Sequence, residues 1–484
     1  MTVQPVTVHP VVVDAALTRA RIAGREYAGY TQEQVDEVVR AVGWACYEPG
    51  NVAVYAHLSR HTTGMGRSAD LFDLHRRRVL GTMADLSGQT TVGVIERGRG
   101  LERHAKPLGV IAVVAPATAP ATAIATTTLS ALKTRNAVIV SAHPSARRVA
   151  ERIVADIGDA LEKSGAPAGL VSLMATGDRE SVSELMSRCD FVVATGGAAT
   201  VSRAYASGTP AVSAGTGNST IIVDEFADIE RAARVIAEGG SFNEGTSCSS
   251  ESNVLVHRSV YARLLAELST RAAHVLDPET SDLVEAVIWP RGERARDLVG
   301  RSAATIAAAA GIATGARLLI LTATRVSVGR PMFTEKLTPV CSVAPYDDFA
   351  EAVATVGDIL TYSGRGHSCG IHTGDNDRAR ARVDRLARQL DVSRVMVNQS
   401  TMGNAGSPHN GLPFTSVVAS GSWGGCSRSE NVSWRDFLQT TVVSREFDRG
   451  IDDLDDADMR ELFGERAVSS GPVVPMARIH QLTG

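Results

Sequence analysis

The chain offers no cysteine pair to close. Its six cysteines (Cys46, Cys189, Cys248, Cys341, Cys369 and Cys426) are scattered through 484 residues with no CxxC spacing. That pattern argues against a secreted disulfide framework and for reduced thiols, so a cytoplasmic protein is expected. The N-terminus lacks a basic segment followed by an apolar run, and no signal peptide is expected. Neither sign of charge is in excess: the formal net charge is −4, without the basic surplus that marks nucleic-acid binders. Aromatic residues are only 5% against 44% hydrophobic, which suits small-residue helices packed on a β-rich core. One long uncharged run, Pro107–Leu132, contains Pro107, Pro116 and Pro120. It therefore reads as strand, turn and helix and not as a membrane span.

The standard catalytic motifs are missing as well. Gly215-Thr216-Gly217 begins a GxGxxG fingerprint but lacks its third glycine, and no P-loop, HExxH or GxSxG is present. Ser130-Ala131-Leu132-Lys133 has SxxK spacing, yet it falls inside a predicted helix with no partner motif. Histidines and carboxylates form no metal-like cluster, so no metal site is expected.

What is present is a clear alternation of elements. Thr31-Gln32-Glu33-Gln34 has capping-box spacing, and Val35, Val38, Val39 and Val42 follow at helical intervals. From about residue 108 strands and helices alternate: strand Gly109–Ala115, helix Thr122–Lys133, strand Ala137–Ala142, helix Ser145–Lys163. Strands Val171–Ala175, Asp190–Thr195 and Thr220–Val223 continue the series. After Cys248 a second series has strands near Asn253–Val256, Leu318–Thr322, Cys369–His372 and Arg394–Asn398. Such βαβα order predicts two doubly wound α/β lobes with mostly parallel sheets, joined near residue 245. A chain of this length supports two or three domains.

Between the two series lies Ser241-Phe242-Asn243-Glu244-Gly245-Thr246-Ser247-Cys248-Ser249-Ser250-Glu251-Ser252-Asn253, a small, polar segment with one thiol. At a junction between lobes, backbone N–H groups can stabilise a thiolate, so Cys248 is a candidate nucleophile. Cys369 and Cys189 lie beside predicted strands and read as core residues.

This segment resembles the catalytic-cysteine motif of the aldehyde dehydrogenase superfamily, and in particular of its coenzyme A-acylating branch. Other stretches agree in order over most of the chain. They are Pro107–Ala112 with Pro116-Ala117-Thr118-Ala119-Pro120, Ala131–Ala137 with Ser141-Ala142-His143-Pro144, and Ala194-Thr195-Gly196-Gly197. Ala204–Ala211, Gly215-Thr216-Gly217-Asn218, Glu335-Lys336-Leu337-Thr338-Pro339, Gly366-His367 with Ile371-His372-Thr373, and Gly421–Gly425 follow. The resemblance implies Cys248 as the thioester-forming nucleophile, with its backbone N–H and the Thr118 region facing the oxyanion. It also implies Thr195, Gly196 and Gly197 opening the helix under the cofactor pyrophosphate, Ser141 and His143 along the adenosine, and Gly217 and Glu335 in the cofactor segment, Glu335 on the nicotinamide ribose. In isolation Thr195-Gly196-Gly197 reads as a plain turn and Glu335 as a surface carboxylate. One departure is Ala119, where the family's oxyanion loop usually carries asparagine.

Hydrolytic relatives place a glutamate in the segment matching Ser213–Asn218; here Ala214 stands at that position. Loss of a general base costs water attack roughly 10²–10⁴-fold. The expectation is therefore oxidation of a small aldehyde to its acyl-CoA with NAD or NADP and coenzyme A as cosubstrate, reversibly. His143, Arg147 and Arg148, with no acidic residue after the second strand, tilt the cofactor reading towards NADP. The hydroxyl-rich Thr246, Ser247, Ser249 and Ser250 look more like the sulfoacetaldehyde-converting members of the branch, although they also read as caps of the cysteine loop. Arg365 and His367 are candidate cations for a sulfonate. Acylating acetaldehyde or propionaldehyde dehydrogenases, a non-acylating semialdehyde dehydrogenase, and a cofactor-binding assembly protein are the alternatives. The expected division is a cofactor domain over 1–245, a catalytic domain over 246–440 and an oligomerisation segment over 441–484. The hairpin about 91–106 also serves assembly, and the family implies a homodimer or homotetramer with no membrane or nucleic-acid partner.

Overall fold

The computed structural model describes residues 8–98, 100–446 and 456–463. Four helices come first: Val8–Tyr27, Gln32–Tyr47, Pro49–Thr63 and Ser68–Leu86. The Thr31 capping box is formed, and Val35, Val38, Val39 and Val42 are buried along one stripe. In the Ser68–Leu86 helix the buried face runs through Leu71, His75, Arg78, Val79, Thr82 and Leu86, a helical spacing that carries an arginine into the interior.

A five-stranded parallel sheet follows, in the order Val171–Leu173, Ala137–Ala142, Val110–Ala115, Phe191–Thr195, Ala211–Ala214. In chain order this is 3-2-1-4-5, the doubly wound arrangement whose switch point lies between Val110–Ala115 and Phe191–Thr195. Its central strands are apolar and almost fully buried, as a sheet covered by helices on both faces requires. The Pro120–Lys133 helix leaves that switch point. All of its 14 residues are buried, so alanine and threonine replace an amphipathic pattern. It starts two residues before its expected start because Pro120 is preorganised for the first turn.

A seven-stranded sheet forms the second lobe: Ala273–Leu276, Leu318–Thr322, Val340–Tyr346, Asn253–His257, Thr220–Val223, Cys369–His372, Val395–Val397. Its pairings are parallel. Thr220–Val223, expected to continue the first lobe, pairs here with Asn253–His257 and Cys369–His372. The Ile229–Ser241 helix packs its buried isoleucines and alanines on the same sheet. The change of sheet thus falls between Ala214 and Thr220, ahead of the expected junction near residue 245.

A separate unit draws on Val92–Ala105 and on described residues from Thr440 onwards. Its three-stranded sheet has Gly93–Gly98 antiparallel to Leu101–Pro107, with Leu438–Ser444 on the other edge of the latter. The acidic stretch Asp452–Asp458 lies largely outside the described residues; an Asp456–Phe463 helix is what is described of the tail.

Candidate active site

The Ile229–Ser241 helix ends in a turn that is costly to make. Asn243 (φ 49°) and Glu244 (φ 53°) both adopt the left-handed region, which non-glycine residues occupy at about 1–3 kcal/mol each. Three contacts hold Asn243 there. Its N–H donates to Asp70 Oδ2 (2.9 Å), its Oδ1 accepts from the Arg67 N–H (3.0 Å), and its Nδ2 donates to Thr246 Oγ1 (2.7 Å). The next residue must be glycine, since a Cβ on Gly245 would lie 2.2 Å from the Thr338 carbonyl oxygen.

Beyond Cys248 the loop is anchored residue by residue. Ser249 Oγ donates to Asn404 Oδ1 (2.8 Å), and Thr401 Oγ1 donates to the Ser249 carbonyl (2.8 Å). Buried Glu251 accepts from Ser400 Oγ (2.6 Å) and the Thr401 N–H (3.0 Å). Lys336 Nζ donates to the Ser252 carbonyl (2.8 Å) and Asn253 Oδ1 (3.0 Å). The loop that carries the thiol is therefore rigid on both sides.

Five of the six cysteines are buried; Cys248 is half-buried and borders a cavity of about 600 Å³. Burial pushes the Cys248 thiol up to about 11 and Glu335 adds to the rise, against the Ser249 hydroxyl, the cysteine's own N–H and Arg78. The backbone N–H thus acts in the direction the sequence suggests, but desolvation outweighs it. In this state Cys248 holds a neutral thiol.

The same cavity is lined by Thr118, Ser141, His143, Thr195, Gly196, Gly197 and Glu335. Gly217 is not on its wall but braces it. The Gly217 N–H donates to Glu335 Oε1 at 2.8 Å, and Arg294 Nη1 donates to Glu335 Oε2 at 3.2 Å. Glu335 is therefore oriented, not a loose surface carboxylate. Ala214 also lines the cavity, and Glu335 is the only carboxylate among its lining residues. Ala119, at the start of the Pro120–Lys133 helix, supplies no side-chain cap.

The residues at the sheet's switch point fit a dinucleotide. The Ala198–Ala206 helix begins at Gly197 with no side-chain cap, and the space beside the Gly197 α-carbon is open. Its first N–H groups are left for an anion. Arg179 and Arg203 line the same cavity, and Arg203 Nη1 is buried without a hydrogen-bond partner. Arg147 and Arg148, expected near the adenosine, do not line it; Arg147 is engaged with Glu151 (2.8 Å) on its own helix. Arg179 and Arg203, distant in sequence from the second strand, were not legible as cavity residues.

Four hydroxyls of the cysteine loop turn out to be used locally. Thr246 Oγ1 donates to the Asn243 carbonyl, Ser247 Oγ accepts from the Ser249 N–H, Ser249 binds Asn404, and Ser250 Oγ points at the Met402 sulfur. They cap the loop. The two expected sulfonate cations also fall away: Arg365 pairs with Asp391 in the open, and His367 is fully buried, its imidazole pushed down to about 3 by desolvation. Neither lines the cavity.

Beside this geometry, a half-buried cysteine and an oriented glutamate on one cavity at the switch point of a doubly wound sheet, stands the match of the sequence to a family model. The model described as the aldehyde dehydrogenase family covers residues 10–441. The chain belongs to the aldehyde dehydrogenase family. This aldehyde dehydrogenase is 35% identical over 442 residues to the acylating sulfoacetaldehyde dehydrogenase of Bilophila wadsworthia, covering 89% of this chain and 94% of the relative. It is 33% identical over 440 residues to the acetylating succinate-semialdehyde dehydrogenase of Clostridium kluyveri, covering 90% and 96%. Among solved structures, an acetylating aldehyde dehydrogenase from Geobacillus thermoglucosidasius superposes with a TM-score of 0.87 at 27% identity, covering 92% of this chain and 99% of that one. Among the described residues of this aldehyde dehydrogenase, no helix is long and apolar enough to cross a membrane, and no group of three or more His, Cys, Asp or Glu is placed to hold a metal.

Proposed function

We propose that this aldehyde dehydrogenase oxidises sulfoacetaldehyde to its acyl-CoA, through a thioester on Cys248, with NADP as the hydride acceptor. The observation that carries the acylating chemistry is the cavity wall shared with the thiol. Ala214 stands where a base would be needed, and the one carboxylate on the cavity is already held by the Gly217 N–H and Arg294. A water molecule finds no general base there, whereas a thiol cosubstrate ionises more readily and needs less help.

The residues then take these roles. The Cys248 thiol releases its proton to solvent, its thiolate sulfur bonds to the aldehyde carbon, and the resulting oxyanion faces the Cys248 N–H and the Thr118 side of the cavity. Bound NAD(P)+ supplies the acceptor for the hydride that leaves this carbon as the carbonyl re-forms. The coenzyme A thiolate bonds to the thioester carbon, the carbon–sulfur bond to Cys248 breaks, and Cys248 leaves as thiolate. Glu335 orients the cofactor ribose, with Gly217 and Arg294 fixing the carboxylate. Thr195, Gly196 and Gly197 present the helix start to the pyrophosphate, and Ser141 and His143 border the adenosine side.

The cavity's charge supports anionic ligands throughout: Arg78, Arg179, Arg203 and Arg294 face a single Glu335. Arg179 and Arg203 support NADP over NAD, replacing Arg147 and Arg148 in that reading. The names of the relatives support sulfoacetaldehyde, with succinate semialdehyde as the second reading. Six free cysteines support a reducing, cytoplasmic setting, and the largely exposed strands of the separate three-stranded sheet support assembly into a homodimer or homotetramer.

The substrate assignment is tested by kcat/KM for sulfoacetaldehyde, succinate semialdehyde, propionaldehyde and acetaldehyde, with coenzyme A and either NAD or NADP. Sulfoacetaldehyde with NADP should lead by at least about tenfold, or ~1.4 kcal/mol. A lead for either alkyl aldehyde removes the sulfonate assignment and leaves the acylating one.

A further inference from the structure

A buried guanidinium sits beside the nucleophile without an anion to match it. Arg78 follows Arg76 and Arg77 on the Ser68–Leu86 helix, but unlike them it lies on the buried stripe and is only 9% exposed. It lines the cavity with Cys248 and is close enough to draw the thiol towards its ionised form. Its guanidinium is held by carbonyl oxygens: Nη1 donates to Ala405 and to Gly406 (2.9 Å), and Nη2 makes a long contact with Met402 (3.4 Å). No carboxylate pairs with it among the described residues.

Buried Lys133 has Asp36, and half-buried Arg382 has Asp224 and Glu225. Lys336 and Arg394 resemble Arg78 in resting on neutral oxygens, those of Ser252 and Asn253 for the lysine and of Ala419 and Ser429 for the arginine, but neither borders the cavity. A desolvated charge left without a counter-ion is unfavourable unless a ligand supplies one. An arginine has five donors in a planar fork, and three contacts to carbonyl oxygens, two from Nη1 and one from Nη2, are made here. The rest suit two oxygens of one anionic group.

The scaffold also fixes the distance to the thiol. The 3-10 turn Thr401–Ala405 that receives Arg78 is the one tied to the cysteine loop through Asn404–Ser249 and Thr401–Ser249. Cation and nucleophile thus move as one body.

We propose that Arg78 is the specificity-determining residue of the site, binding the sulfonate or carboxylate of a small anionic aldehyde while its carbonyl carbon meets Cys248. This rests on the acylating, small-aldehyde reading above. It commits to the anionic end of the substrate.

The test compares the wild-type enzyme with Arg78→Met and Arg78→Lys on sulfoacetaldehyde, succinate semialdehyde and propionaldehyde, with thermal melting of each protein as a folding control. Arg78→Met should lower kcat/KM for the anionic aldehydes by about 10²-fold more than for propionaldehyde, chiefly through KM. Arg78→Lys keeps the charge but loses the fork, so it should fall between the two. The relative losses of sulfoacetaldehyde and succinate semialdehyde separate sulfonate from carboxylate. In the wild type, ethanesulfonate should compete with the aldehyde and ethanol should not, which needs no variant to fold. Equal losses on all three aldehydes, or a wild-type enzyme indifferent to ethanesulfonate, overturn the inference. A wild type that favours propionaldehyde instead overturns the substrate reading on which it rests.

Discussion

Gly217 and Cys248 touch through their backbones: a Cβ on Gly217 would stand 1.9 Å from the Cys248 carbonyl oxygen. The same glycine's N–H orients Glu335, so one residue without a side chain contacts both the Cys248 backbone and the carboxylate. Gly217→Ala cannot be relieved by a flexible side chain, because the obstacle is main chain. It should displace the cysteine loop by tenths of an ångström or more and lower kcat by about 10²-fold, with a smaller effect on melting temperature. Steady-state kinetics beside a thermal melt would show this; unchanged kcat would mean that the loop and Gly217 are not in contact.

The role of Cys248 is tested by removing it. Cys248→Ala should abolish oxidation and reductive turnover while the protein still binds nucleotide, measured by quenching or calorimetry. Because Cys189 and Cys369 are buried and do not border the cavity, Cys189→Ala and Cys369→Ala should stay active. Loss of activity in either of these with retention in Cys248→Ala would reassign the nucleophile.

Glu335 raises the Cys248 thiol, second to burial. Without cofactor, the rate of Cys248 alkylation by iodoacetamide should titrate with a midpoint near 11, and Glu335→Gln should move that midpoint down but leave it above the ordinary thiol value, since burial remains. A midpoint that rises, or does not move, would place the carboxylate out of reach of the sulfur.

Much of this was legible in the sequence, for identifiable reasons. Ala137–Ala142, Leu318–Thr322 and Cys369–His372 are short apolar runs bounded by turn residues, and all three are strands at those bounds. Val340–Tyr346 was not legible, because Pro339 and Pro345 flank or interrupt a run diluted by cysteine, serine and alanine. Thr220–Val223 was legible as a strand but not as a member of the second sheet, since sheet membership is decided by pairing with Asn253–His257, thirty residues on. Cys248 stood out because a thiol in a polar loop is chemically conspicuous. Arg78 did not, because Arg76-Arg77-Arg78 reads as a solvated run. The signal that distinguishes it is its helical spacing from Leu71, His75, Thr82 and Leu86.

Burial pushes the Glu251 carboxyl up from 4.5 to about 7, against hydrogen bonds from Ser400 and Thr401. The native state therefore holds a proton that the unfolded chain has released between those values. Its contribution to stability is complete below pH 4.5 and is lost as pH rises through 7. Glu251→Gln, which cannot ionise, should flatten the stability curve over that window, so that wild type minus variant falls from acid to neutral pH in denaturant titrations. A difference that rises with pH would show that the carboxylate is ionised and stabilising in the fold.

On the proposed mechanism the Cys248 thioester waits for a thiol, since Ala214 leaves water without a base. The most direct measurement mixes enzyme, NADP and sulfoacetaldehyde without coenzyme A and follows reduced nicotinamide by absorbance. About one equivalent per Cys248 should form and then stop, with steady turnover resuming on addition of coenzyme A. Continuous turnover to the free acid before coenzyme A is added would mean that a base in the site activates water against the thioester.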